Sequence, residues 1–149
     1  MKPRLCLDTA VLSALDDARM PEQQELARRF WDRLPEFDPA TSEVRTGKIE
    51  DTPNPARRTL SPGSLGSLTV FPLTDEMRAM AANYIDSGIL LRTKRRDALH
   101  VAATVLGRFD MIASWNLRHR VNRRRQAMIN SLNIVLGARS VEIISPPEL

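Results

Sequence analysis

Short apolar-rich segments alternate along this chain with longer segments whose apolar positions recur every three or four residues, and this alternation restricts the fold more than any other feature. Leu5-Cys6-Leu7 is consecutively apolar, and Leu68 to Phe71, Asp110 to Ser114 and Val141 to Ile144 read as further short strands. A strand covered on both faces is apolar in succession, whereas a half-exposed strand alternates. Strands of this kind, each followed by a helical pattern, predict an α/β fold with a parallel sheet and helices on both faces.

The helical segments carry their own start and stop signals. Asp8 or Thr9 can cap a helix bearing Val11, Leu12 and Leu15. Pro21 suits the first turn of a second helix, with Leu26, Ala27, Phe30, Trp31 and Leu34 on one stripe and Pro35 as its stop. Residues 37–42 (FDPATS) form a strand only if Pro39 sits at its start or on an edge. Ser42 can cap a short helix from Glu43 to Glu50, and Ala56 to Leu65 reads as another before the SPGSLGS loop. Thr74 opens a helix with Glu76 in its first turn and Met77, Met80, Ala81, Tyr84 and Ile85 as its stripe, ended by Gly88. Residues 95–106 form the central helix, with Ala98, Leu99, Val101, Ala102, Val105 and Leu106 around much of its circumference and Gly107 as C-cap. The next strand leads to Trp115-Asn116, which places an amide at a strand end. Asn122 to Leu136 is the last helix, with Met128, Ile129, Leu132 and Val135 inward, Arg123, Arg124 and Arg125 outward, and Gly137 as its stop.

The chain has 149 residues, enough for one domain over 1–149 with a sizeable core. No apolar run approaches the ~20 residues that cross a bilayer. The start, MKPRLCLD, has no apolar signal region, so a cytoplasmic protein without a membrane segment is expected. A single cysteine, Cys6, excludes an internal disulfide and a multi-cysteine zinc site. Charge is unevenly placed. Residues 92–125 hold ten basic and two acidic side chains, against twelve basic and sixteen acidic elsewhere. Of the 22 basic residues 19 are arginine, whose planar fork suits phosphate oxygens. A concentrated basic segment points to an anionic partner, nucleic acid first; a solvated helix face is the plainer account of any one of these arginines.

The segment Arg92 to Asn122 organises the chemistry. Asp97 opens the central helix, and Asp8 ends the first strand. Open α/β sheets bind ligands in the crevice beyond their strand ends, which predicts that Asp8, Asp97 and Asn116 meet there. No Gly-x-Gly-x-x-Gly or Gly-Lys-Ser/Thr loop is present, nor a Gly-x-Ser-x-Gly elbow, which argues against dinucleotide, P-loop and α/β-hydrolase chemistry. Oxygen ligands remain, and these suit hard cations such as Mg²⁺ or Mn²⁺.

The stretches LDTAVLSAL, SEVRTGKIEDTP, RRDALHVAA and SWNLRHRVN, with the SPPEL tail, resemble the PIN-domain nucleases, in particular the branch related to VapC-type toxins. DALHVAA followed by SWNLRH is the more specific part; LDTAVL alone is not. The resemblance implies an α/β/α sandwich around a parallel sheet and acids that bind Mg²⁺ or Mn²⁺ in cleaving RNA. It matches Asp8 to the first acid, Asp97 to the third, and Asn116 to the polar residue of the last motif. It also implies a homodimer and a partner antitoxin protein. Where the family places its second acid, this chain has Lys48, with uncharged Gly47 beside it, and Ala10 replaces a common hydroxyl residue. Either Glu43 takes over as a catalytic acid, or Lys48 replaces the cation and leaves a module that binds RNA or protein without cutting, or the registration slips.

Arg95, Arg96, Arg118 and His119 flank the expected site and are the candidates for contact with RNA. His100, one turn after Asp97, reads as a hydrogen-bonded core histidine, and Trp115 as a residue packed on the sheet. Glu50 and Asp51 read as surface acids.

Overall fold

The computed structural model describes residues 2–8, 21–42, 69–145 and 148. Five strands form one parallel sheet: β1 (Arg4–Leu7), β2 (Asp38–Ser42), β3 (Thr69–Phe71), β4 (Met111–Ala113) and β5 (Glu142–Ile144), in the order β3-β2-β1-β4-β5. The helices are α1 (Pro21–Arg33), α2 (Asp75–Asp86), α3 (Arg95–Leu106), α4 (Trp115–Arg120) and α5 (Arg123–Val135). The predicted helix after Asp8 and those at 43–50 and 56–65 lie outside the described residues. No helix among the described residues is long and apolar enough to cross a membrane.

Strand register explains why Leu5-Cys6-Leu7 of β1 is apolar without a break. Leu5 pairs with Met111, and Leu7 with Ala113, which in turn pairs with Ile144; Leu5, Leu7, Ala113 and Ile144 are buried with Phe30 of α1. The intervening row, Ala40, Cys6, Ile112 and Ile143, belongs to the larger cluster with Met80 and Tyr84 of α2, Val101 and Ala102 of α3, and Ile129 of α5. Successive strand residues point to opposite faces, so both rows must be apolar when both faces are covered. Helices therefore lie on both faces of the sheet, an α/β sandwich. Each fully buried valine or leucine on these faces contributes about 1.5–3 kcal/mol.

Pro39 stands inside β2, and β2 is an interior strand. The backbone N–H of Asp38 donates to Pro3, which directs alternate residues of β2 toward β1. Pro39 therefore faces the β3 side, one position before that pairing starts at Ala40–Thr69, and its missing N–H breaks no described ladder bond. Of the two places open to Pro39, the structure gives it the start of the strand and not an edge of the sheet.

Helix ends follow their local chemistry. Thr74 caps α2 by accepting from the Met77 N–H at 3.2 Å, and Gly88 (φ 81°) supplies the left-handed turn after it. After α3 the left-handed residue is Arg108 (φ 62°), whereas Gly107 keeps a right-handed φ of −75°. Gly107 is needed for space, since a Cβ there would lie 2.7 Å from the Ala103 carbonyl oxygen and 2.8 Å from the Phe109 ring.

Two expectations are corrected. Trp115-Asn116 does not end a strand; β4 stops at Ala113, and Ser114 caps α4, whose first residues are Trp115 and Asn116. On α5 the buried residues are Ile129 and Asn133, whereas Met128 is 42% and Val135 80% exposed. The cause is a polar docking of α5 against β5. Gln126 accepts from the Ile143 N–H at 2.9 Å, and Asn130 bonds both the N–H and the C=O of Val141. These side chains cover backbone groups on the outer edge of β5, so the helix turns its amide face toward the sheet.

Candidate functional site at the carboxyl edge of the sheet

The chain runs from β1 to β2 and β3 on one side, then returns to place β4 and β5 on the other side of β1. The order reverses between β1 and β4, and in open α/β sheets such a switch point is where ligands bind, beyond the carboxyl ends of the strands. Asp8 follows β1 and Ser114 follows β4, at equivalent positions one step beyond the Leu7–Ala113 pair. The Ser114 Oγ donates to Asp8 Oδ2 at 2.7 Å across this switch point, and the Asp8 N–H donates to the Ala113 carbonyl at 3.2 Å. The Ser114 oxygen also accepts from the Leu117 N–H at 3.1 Å. One hydroxyl thus ties the carboxylate to the start of α4.

Helix α3 runs opposite to the strands, and three contacts fix its height. The Gly107 carbonyl accepts from Arg4 Nη1 at the start of β1, the Thr104 hydroxyl lies against Cys6, and His100 Nε2 lies 3.5 Å from Asp8 Oδ1. The next position on that face is Asp97, three residues before His100 and one turn beyond the end of β1. Asp8 is 2% exposed, Asp97 7% and His100 2%. His100 is indeed a core residue, and its contact is the acid of the site. Burial drives the Cys6 thiol up to about 12; the Thr104 hydroxyl opposes the rise and the Asp8 charge adds to it.

The other expected residues are placed as follows. Arg95 and Arg96 are exposed in the first turn of α3, and no ion pair involves them among the described residues. Cations there oppose the positive end of the helix dipole, a local cost an anion would relieve. Arg118 is engaged: its Nε donates to Glu148 Oε1 at 3.1 Å, and Glu148 in turn accepts from the Ser145 N–H at 2.8 Å. Desolvation raises the Glu148 pKa, but the Ser145 and Arg118 contacts outweigh it and hold the carboxyl below its ordinary range. Asn116 and His119 lie on α4, at the same edge; their side chains are outside the described set, as are Glu43, Lys48, Glu50 and Asp51. Trp115 packs against the cluster of Leu5, Leu7 and Phe30.

Among the described residues no three His, Cys, Asp or Glu side chains converge on one point. Asp8, just after β1, and Asp97, in the first turn of α3, are nonetheless buried hard oxygen donors, the donor chemistry that Mg²⁺ or Mn²⁺ accepts while keeping several waters. Nothing local in the sequence ties Ser114 to the site. Its position directly before a helix marks it as a cap, but its bond to Asp8 depends on strands 106 residues apart in sequence.

No family model matches the sequence, and no curated protein matches it.

Proposed function

We propose that this chain is a divalent-metal-dependent endoribonuclease of the PIN type, the activity its sequence resemblance implies. The observation that carries the reading is the placement of Asp8. It is a buried carboxylate at the topological switch point, held by Ser114, with Asp97 one turn above on the facing helix. A carboxylate kept in a buried position costs desolvation unless it is paired or binds a cation. Asp8 and Asp97 would hold Mg²⁺ or Mn²⁺, with Glu43 and Asn116 assisting. Such a cation, when bound, stabilises the charge that develops on a phosphodiester under attack by water. Arg95 and Arg96, exposed in the first turn of α3, would bind the RNA backbone, with Arg118 and His119 on the neighbouring helix. Arg118 must leave Glu148 to do so. A cytoplasmic setting, a homodimer and an antitoxin partner belong to the same reading.

The test is a calorimetric Mn²⁺ titration of wild type and Asp97→Asn, followed by cleavage of a fluorophore–quencher RNA. Binding and cleavage by wild type, both lost in Asp97→Asn, are expected. Absence of binding at millimolar Mn²⁺ would sink the reading.

Lys48 supports a second reading, a diverged module that binds RNA or a protein partner without cutting. A cation where the family carries an acid opposes a metal directly. RNA binding by gel shift, without cleavage and without Mn²⁺ binding, would favour it.

A further inference from the structure

The row of residues at the carboxyl edge of the sheet contains one polar group that neither the fold nor the reading above uses. Two residues beyond the Cys6–Ala40 pair, Asp8 and Ser42 occupy equivalent positions on neighbouring strands. Ser114 occupies the same level on the other side of Asp8. Side chains two residues apart along a strand share a face, so Ser42, Asp8 and Ser114 stand in one line above the Ala40, Cys6 and Ile112 row, on the α3 side of the sheet.

The hydroxyls at this edge have different fates. Thr41 Oγ1 donates to the Leu7 carbonyl at 2.9 Å, and Ser114 Oγ serves both Asp8 and Leu117. Ser42 is 1% exposed, and its Oγ has no hydrogen-bond partner among the described residues. A buried hydroxyl without a partner costs about 1–3 kcal/mol, and a group retained at that cost calls for an explanation, an ion or its bound water among them. Neighbouring strands lie ~4.8 Å apart, a gap that the Ser114 side chain closes directly onto Asp8 and that the Ser42 hydroxyl, on the other side of Asp8, leaves open. Capping a following helix would not exhaust this hydroxyl, because capping uses its oxygen as acceptor and leaves its proton to donate, as Ser114 demonstrates.

We infer that Ser42 is a further residue of the cation site, donating its O–H to an oxygen in the coordination shell of a divalent cation held by Asp8 and Asp97. The inference rests on the metal-binding reading above and adds a residue from β2 to it. The site would then draw on three adjacent strands: Ser42 from β2, Asp8 from β1, and Ser114, through Asp8, from β4.

The experiment is a calorimetric titration with Mn²⁺ alone on wild type, Ser42→Ala, Ser42→Thr and Ser42→Gly, with thermal unfolding midpoints recorded with and without Mn²⁺. Ser42→Ala and Ser42→Gly should weaken Mn²⁺ binding about fivefold or more, the effect of one lost hydrogen bond. Ser42→Thr, which keeps the hydroxyl, should stay within about twofold of wild type. The gain in midpoint on adding Mn²⁺ should shrink in the Ala and Gly variants and persist in Thr. Glycine is a nearly neutral helix cap, so a purely capping role would lower the Ala midpoint, spare Gly, and leave Mn²⁺ affinity unchanged in both. That pattern overturns the inference while leaving the metal site standing. Equal loss in Ala, Gly and Thr also overturns it, because the hydroxyl would not be what matters. Failure of wild type to bind Mn²⁺ defeats the metal-binding reading itself, and this inference with it.

Discussion

Ser114→Ala removes two interactions at one stroke, and the structure says how large each is. The hydroxyl donates to a buried carboxylate at 2.7 Å, a charge-assisted bond whose loss costs about 1.5–3 kcal/mol. Its oxygen also caps α4 by accepting from Leu117 N–H at 3.1 Å, and loss of such a cap costs about 0.5–2 kcal/mol. Together they should destabilise the protein by about 3 kcal/mol, lowering Tm by roughly 6–12 °C for a domain of this size. Ser114→Gly separates the two, since glycine retains most of the capping preference and none of the donor. Urea denaturation of Ser114→Ala, Asp8→Ala and the double variant should give a coupling energy of about 1.5–3 kcal/mol. A coupling below about 0.5 kcal/mol would refute the idea that Ser114 holds Asp8 across the switch point, because distant or unconnected sites add within that margin.

Other consequences follow from the packing. Asn130→Ala should cost about 1–3 kcal/mol in urea denaturation and increase aggregation on heating, because the Val141 N–H and C=O on the edge of β5 both lose their partner; unchanged stability would mean α5 does not cover that edge. Tyr84→Phe leaves Asn133, fully buried, without the hydroxyl that donates to its Oδ1 at 2.6 Å, and should cost about 1–3 kcal/mol by the same measurement. Cys6, driven up to about 12 mainly by burial, should resist a thiol reagent at pH 8 in the native protein and react at once in denaturant; rapid native labelling would contradict the buried strand. The folded Glu148 carboxyl titrates below its unfolded value. Its contribution is therefore present above the unfolded pKa and lost as pH falls through the folded one. Glu148→Gln should remove no more than about 1 kcal/mol at neutral pH, because the pair with Arg118 is partly exposed, and the difference from wild type should vanish in acid.

The sequence by itself determined the strand and helix alternation and the class of sheet. Successive apolar residues at 5–7 suit a strand covered on both sides, and caps such as Thr74, Asn122 and Gly137 act through neighbours within a turn. It also put Asp8 at a strand end and Asp97 in the first turn of a helix, because both are properties of a few adjacent residues. Tertiary structure alone decided what those acids touch. The reversal between β1 and β4, the Ser114 bond to Asp8 and the approach of His100 join segments far apart in sequence, and no local pattern encodes them. The inward face of α5 differs in part for the same reason: Ile129 and Leu132 face the core as expected, Met128 and Val135 do not. Its periodicity marks Met128 and Val135 as inward, but the edge of β5 offers backbone donors and acceptors, and amides satisfy those better than methyl groups do. Pro39 was tolerated inside the sheet because its neighbour on that side had not yet begun to pair, a matter of register and not of propensity.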